Sequence, residues 1–135
     1  DAIFSDAFRK IVQNNRELHR QHIDQLASQV VRQIEQSYAD SDLSPTRIAD
    51  SLGMSSAYLG RIFRESMQTS ISQYLNQTRI RRAEELLRET EQPVETVAGL
   101  VGFSNPKYFY VVFKNITGQT PLQFRKAVHS ASKKN

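Results

Sequence analysis

The sequence predicts an all-α fold: two helix-turn-helix subdomains joined by a long linker helix, about seven helices, preceded by an N-terminal linker or coiled-coil helix. Three observations lead there. One stretch is written twice, about fifty residues apart, with Ile48-Ala49-x-x-Leu52-Gly53-Met54-Ser55 returning as Val97-Ala98-x-x-Val101-Gly102-Phe103-Ser104. After one extra residue, Tyr58-Leu59-x-x-Ile62-Phe63-Arg64 returns as Tyr108-Phe109-x-x-Val112-Phe113-Lys114, and Thr69 to Tyr74 aligns with Gln119 to Phe124. Such self-similarity marks one supersecondary unit used more than once. Apolar residues recur at steps of three and four, with none of the alternation that marks a strand. Gly and Pro fall where helices must stop or start.

The first helical region covers residues 2 to about 39. Ile3, Phe4, Ala7, Phe8, Ile11, Val12 and Leu18 lead into Ile23, Leu26, Ala27, Val30, Val31 and Ile34, an apolar stripe on an otherwise polar helix. Gln13-Asn14-Asn15 thins the stripe and is expected to break the helix. Residues 1–20 are therefore assigned to a linker or dimerisation helix, and Gln21 to Tyr38 to the first helix of the folded unit. Ala39 to Asp42 is a turn by composition. Ser44-Pro45 starts the next helix, Ser as N-cap and Pro at the first helical position, where its missing N–H costs nothing. Gly53 ends it by tolerating a left-handed conformation.

Ser55 is expected to cap a helix to about Met67, and Thr69 or Ser70 a longer one to Thr90, buried at Ile71, Tyr74, Leu75, Ile80, Ala83, Leu86 and Leu87. Pro93 breaks the chain before the second copy. There Val94 to Val101 is a helix stopped by Gly102, and Ser104 is expected to cap the next, with Pro106 in its first turn. Thr117-Gly118 ends that helix. Thr120-Pro121 starts a last one to about His129, leaving 130–135 as a frayed tail. The expected divisions are 1–20, a first subdomain 21–69, a connecting helix 70–90, a second subdomain 91–129 and the tail.

Composition narrows the function classes. The hydrophobic share is 39% and no apolar run approaches the ~18 residues of a membrane span, so a soluble chain is expected. It begins at Asp1 without a basic segment or apolar leader, and an upstream domain of a longer chain is expected. Cysteine is absent, which excludes disulfides, thiolate chemistry and Cys-based zinc sites. The formal net charge is +4, and beyond Glu95 no acidic residue follows while Lys107, Lys114, Arg125, Lys126, Lys133 and Lys134 do. A one-signed stretch of this kind attracts polyanions.

A helix-turn-helix needs a small residue on its first helix, a Gly-bearing turn, and an amphipathic second helix with a free outer face. Ala49 and Gly53 meet the first two needs, and so do Ala98 and Gly102. Leu59, Ile62 and Phe63, like Phe109, Val112 and Phe113, supply the inner faces. The stretch Ala98-x-x-x-Gly102-Phe103-Ser104-x-x-x-Tyr108-Phe109-x-x-x-Phe113-Lys114, with Gly118-x-x-Pro121 and Phe124-Arg125, resembles the DNA-binding region of the AraC/XylS family of bacterial transcription regulators. Leu43-Ser44, Ile48-Ala49 and Ser55-x-x-Tyr58-Leu59-x-Arg61-x-Phe63 look like its first half, and Tyr74-Leu75, Arg79, Ala83 and Leu86-Leu87 like its joining helix.

This resemblance implies two second helices in successive major grooves of one duplex, ~34 Å apart. It also implies a cytoplasmic, bacterial activator that meets RNA polymerase and associates with the nucleoid when bound to DNA, with a homodimer formed through the upstream region. Base contacts carried over position by position are Ser56, Ala57, Gly60 and Arg61, then Asn105, Pro106, Lys107, Tyr110 and Val111. Arg61 can donate two hydrogen bonds to guanine, and Asn105 can pair with adenine. Val111 stands where relatives often carry a polar or basic residue, so it can only pack on a thymine methyl. Ser44, Thr46, Ser55, Arg64, Thr96, Ser104 and Lys114 are the expected phosphate contacts.

Blander readings stand beside these. Tyr58, Tyr108, Phe109 and Phe113 could form a stacking platform for single strands, but their spacing places them in the core. Arg79 is expected to tie the linker helix to its neighbours, and Arg81 or Arg82 to pair with Glu85 on the helix surface. His19 and His22 lie three apart without a third ligand, and no Gly-rich phosphate loop, Ser-His-Asp set or carboxylate pair in a plausible cleft appears, so no metal, cofactor or enzymatic activity is expected. The alternative function is a helical protein–protein interaction module.

Overall fold

The computed structural model describes residues 2–133, with side chains described for 5–131. It contains α1 (Ala2–Ser37), α2 (Pro45–Ser51), α3 (Ser56–Met67), α4 (Ile71–Glu89), α5 (Val94–Leu100), α6 (Pro106–Thr117) and α7 (Pro121–Lys133), and no strand among the described residues. The repeat in the sequence becomes a repeat of packing: α3 rests on α1, α2 and α4, while α6 rests on α4, α5 and α7. Helix α4 therefore closes the first unit and founds the second.

Its sequence explains how. Ile71 and Leu75, in its first half, join Ala27, Val30, Ile34, Ile48, Ala49, Leu59 and Phe63 in one core. Ile80, Ala83 and Leu87, further along, join Val94, Val97, Ala98, Val101, Phe103, Phe109, Val112, Phe113 and Phe124 in another. Tyr74 and Leu86, expected to be buried, are only half-buried, while Thr78 and Arg79 between the two groups are buried.

The helix starts follow the polar residues that precede them. The hydroxyls of Ser44, Ser55 and Ser70 accept from the backbone N–H groups of Arg47, Tyr58 and Gln73. Each such cap contributes about 1 kcal/mol. Ser70 rather than Thr69 caps α4, in a reciprocal capping box with Gln73, and Thr120 and Gln123 exchange the same bonds at α7.

The ends of α3 and α6 also match. Gly118 caps α6 at φ 82°, and Gln68 holds the same left-handed region at φ 61°. A side chain there meets the following carbonyl, so Gln68→Gly is expected to stabilise the chain by about 0.5–1 kcal/mol, net of glycine's extra unfolded entropy. The urea midpoint should rise. A lower midpoint would mean that the bond from Gln68 Nε2 to the Glu65 carbonyl, 3.2 Å, outweighs the relief.

Three sequence expectations are corrected. No break occurs at Gln13-Asn14-Asn15: α1 is one helix of 36 residues. Asn and Gln lower helix propensity by only tenths of a kcal/mol, and neither Pro nor Gly interrupts the segment. Burial changes later along the helix, close to the expected start of the folded unit at Gln21, since Ile23 is the first buried residue of α1 among those described. Ser104 does not cap α6; Asn105 does, its Oδ1 accepting from the Lys107 and Tyr108 N–H groups. Pro106 at the first helical position fixes that start, and the extra residue of the second copy lengthens the turn before it. Finally, α7 continues past His129 to Lys133, while Lys134 and Asn135 lie outside the described residues.

Candidate nucleic-acid interface

The two turns are built alike. After α2 and α5 come Leu52 (φ −96°, ψ 2°) and Val101 (φ −96°, ψ 5°), then Gly53 and Gly102 with positive φ. Met54 and Phe103 return their N–H groups to the carbonyls of Ala49 and Ala98 at 3.0 and 2.9 Å. Both alanines are buried, so each second helix packs close against the first.

What the second helices leave outside is the candidate site. On α3, Ser56, Ala57, Tyr58, Arg61, Arg64 and Glu65 are exposed, while Leu59, Ile62 and Phe63 are buried. On α6, Pro106, Lys107, Tyr108, Val111, Lys114 and Asn115 are exposed, while Phe109, Val112 and Phe113 are buried. Arg61 and Val111 thus occupy one repeat position, as do Arg64 and Lys114.

Two of the expected base-reading positions sit differently. Gly60 and Tyr110 are half-buried, Tyr110 packing edge-on against Phe109. Even so, a Cβ at Gly60 would meet nothing within 4 Å. Asn105 is exposed, but its Oδ1 is held by the cap, leaving the amide nitrogen as its free group. Val111 lies on a groove shared with Gln73, Asn76, Gln77 and Asn115. Thr46 is exposed at the start of α2, 3.4 Å from the Ser56 hydroxyl across the turn. The hydroxyls of Ser44 and Ser55 are engaged in caps, whereas Thr96 and Ser104 are exposed.

Tyr58 and Tyr108 were expected in the core and are not there: they are 39% and 50% exposed, against 0% for Phe109 and Phe113. They are the third residues of α3 and α6, beside the caps, where the inner face has not yet begun. The Arg61 guanidinium lies 5.5 Å from the centre of the Tyr58 ring, a cation–π distance worth about 0.5–1 kcal/mol at an exposed site. Tyr108 instead accepts a hydrogen bond at its hydroxyl from Asn76 of α4, 3.1 Å. The sequence signal for both was the serine or asparagine cap three residues upstream.

The junction between the units centres on Arg79. Its Nε donates to the Tyr38 carbonyl at 2.8 Å and its terminal nitrogen to the Asp40 carbonyl at 2.9 Å, and it lies over the Phe103 ring of the second turn. Burial pushes this guanidinium below its ordinary value, with Asp40 and Tyr108 acting the other way. Tyr38 packs against both cores. Arg81 and Arg82 reach Glu35 of α1 at 3.3 and 3.8 Å, and Arg82 also pairs with Glu85 at 3.2 Å. Arg81 therefore bridges helices, where an ordinary pair along α4 was expected. At the far end of α4, Arg125 donates to the Leu87 and Thr90 carbonyls, tying in α7.

Comparisons with known proteins agree with this architecture. A family model described as a helix-turn-helix domain matches residues 48–127. The arabinose operon regulatory protein of Escherichia coli is 32% identical over 117 residues, covering 87% of this chain and 40% of that protein. The Msm operon regulatory protein of Streptococcus mutans is 36% identical over 100 residues, 74% of this chain and 36% of that one. The chain thus spans well under half the length of these relatives. Among solved structures, the C-terminal domain of AraT, a response regulator from Geobacillus stearothermophilus, superposes with a TM-score of 0.73 at 30% identity, covering 76% of this chain and 84% of that one. The DNA-binding domain of AdpA, solved with a target DNA, gives 0.73 at 25% identity, covering 82% and 97%.

Proposed function

The chain belongs to the AraC/XylS family of helix-turn-helix transcription regulators, and from that premise we propose that it reads double-stranded DNA with α3 and α6 in successive major grooves. The observation that carries this is the pair of matched second helices, each with a buried inner face and a cation-bearing outer face, both seated on α4. One chain then reads an asymmetric site.

Arg61, lying over the Tyr58 ring, reads a guanine; Ser56 and Ala57 flank it, and Gly60 leaves room for close backbone approach. On α6, Lys107 and the Asn105 amide nitrogen face base edges, Pro106 and Val111 give apolar contact, and Tyr110 supports the helix from its half-buried position. Arg64, Lys114, Thr46, Thr96 and Ser104 serve phosphates, while Ser44 and Ser55 present helix starts to them. The parent protein acts as an activator through RNA polymerase, in a bacterial cytoplasm, and self-associates through the region before residue 21. No helix among the described residues is long and apolar enough to cross a membrane.

Selection from randomised duplexes tests the reading: a defined asymmetric sequence should emerge. Neutralising two phosphates with Arg64 and Lys114 corresponds to a salt slope of roughly −2, about three- to fourfold weaker binding for each doubling of salt. Failure to enrich any sequence, or binding indifferent to salt, would favour a protein-interaction module instead.

A further inference from the structure

The first part of α1 has no neighbour to explain its sequence. Residues 5–22 are exposed apart from a half-buried Val12, and Phe8, Ile11 and Leu18 stand 60%, 60% and 56% open. A helix of this length is marginal in water when nothing covers its apolar side.

Phe8, Ile11, Asn15, Leu18 and His22 follow one another at steps of three, four, three and four, which is the seam of a two-stranded coiled coil. Phe8, Asn15 and His22 take the a positions, Ile11 and Leu18 the d positions. The charges obey the same frame. Asp6, Arg9, Lys10, Arg16, Glu17 and Arg20 all fall at b, c or f, and the flanking e and g positions hold only Ser5, Ala7, Val12, Asn14, His19 and Gln21. In a parallel pair each g position faces an e position of the partner, and with both rows free of Asp, Glu, Lys and Arg no like charges meet beside the seam. The seam stops at His22, one residue before the core face begins at Ile23, so a partner here displaces nothing from the folded unit.

We propose that residues 5–22 pair with the same segment of a second copy as a parallel, in-register, two-stranded coiled coil, with Asn15 facing Asn15 across the axis. A single asparagine at an a position specifies register and two strands at a cost in stability. Roughly 27 Å of coil follows from the helical rise. The coil is therefore short and weak alone, and it places two DNA-binding units side by side. This deepens the self-association proposed above and does not depend on DNA contact.

The chain has no cysteine, which makes the test direct. In sedimentation equilibrium the 135-residue chain should be a monomer–dimer mixture at micromolar concentrations, and Leu18→Asp should be monomeric and lose helical circular dichroism only in the amount the segment before Ile23 accounts for. Asn15→Cys should cross-link into a disulfide dimer on mild oxidation, and Arg20→Cys, at an f position, should not. A monomer at every concentration, a trimer, a dimer indifferent to Leu18→Asp, or cross-linking at residue 20 in preference to 15 would each overturn the coil. A monomeric chain that still selects one duplex sequence would leave the DNA reading standing without it.

Discussion

Gly102→Ala is expected to destabilise the chain by roughly 3–4 kcal/mol, while Gly53→Ala, at the same place in the other repeat, costs about 1 kcal/mol. Both glycines have positive φ, 106° and 68°. They differ in what surrounds them. A Cβ at Gly53 meets nothing within 4 Å, whereas one at Gly102 collides with the Tyr38 carbonyl oxygen and comes within 2.7 Å of Arg79 Nε. Neither can yield alone, because that nitrogen donates to that same carbonyl at 2.8 Å. The alanine must open the junction or distort the second turn. Urea unfolding of the two variants measures the difference, and equal losses would contradict this account of the junction. Since the junction spans both cores, Gly102→Ala should also weaken binding to a complete site more than binding to either half-site.

Arg61→Ala should lose about 1–3 kcal/mol of discrimination at one base pair and little elsewhere. Its guanidinium is the only planar two-donor group on the exposed early turns of α3 or α6, and it lies over the Tyr58 ring. Val111→Ala, the matching change in the second unit, removes only apolar contact and should cost under about 1 kcal/mol. Competition binding against single-base variants of the selected site separates the two. A uniform loss on every sequence would move Arg61 to the phosphates.

Much of this fold was legible in the sequence because the signals were local and doubled. The serines before α2, α3 and α4 and the glycines after α2, α5 and α6 act through bonds within a few residues, so pattern reading reached them. Ser104 stands where Ser55 does in the first copy, but the inserted residue and Pro106 move the start of α6 one position on, to Asn105. Tyr58 and Tyr108 fit the apolar periodicity yet stay exposed, because an inner face begins later at a capped helix end. Least legible was the junction. The partners of Arg79 lie about forty residues away in sequence and are backbone carbonyls, which any residue type could have offered. The outer faces were legible as residue types, but Tyr110 and the Asn105 carbonyl group needed coordinates to be placed.

Methylation interference at guanine N7, a major-groove atom, most directly tests the claim that one chain spans two grooves. It should be run on the selected site with Leu18→Asp, so that a single chain is read. Two blocks of interference on one face of the duplex, ~10 base pairs apart, are predicted. A single block, or two on opposite faces, would contradict it.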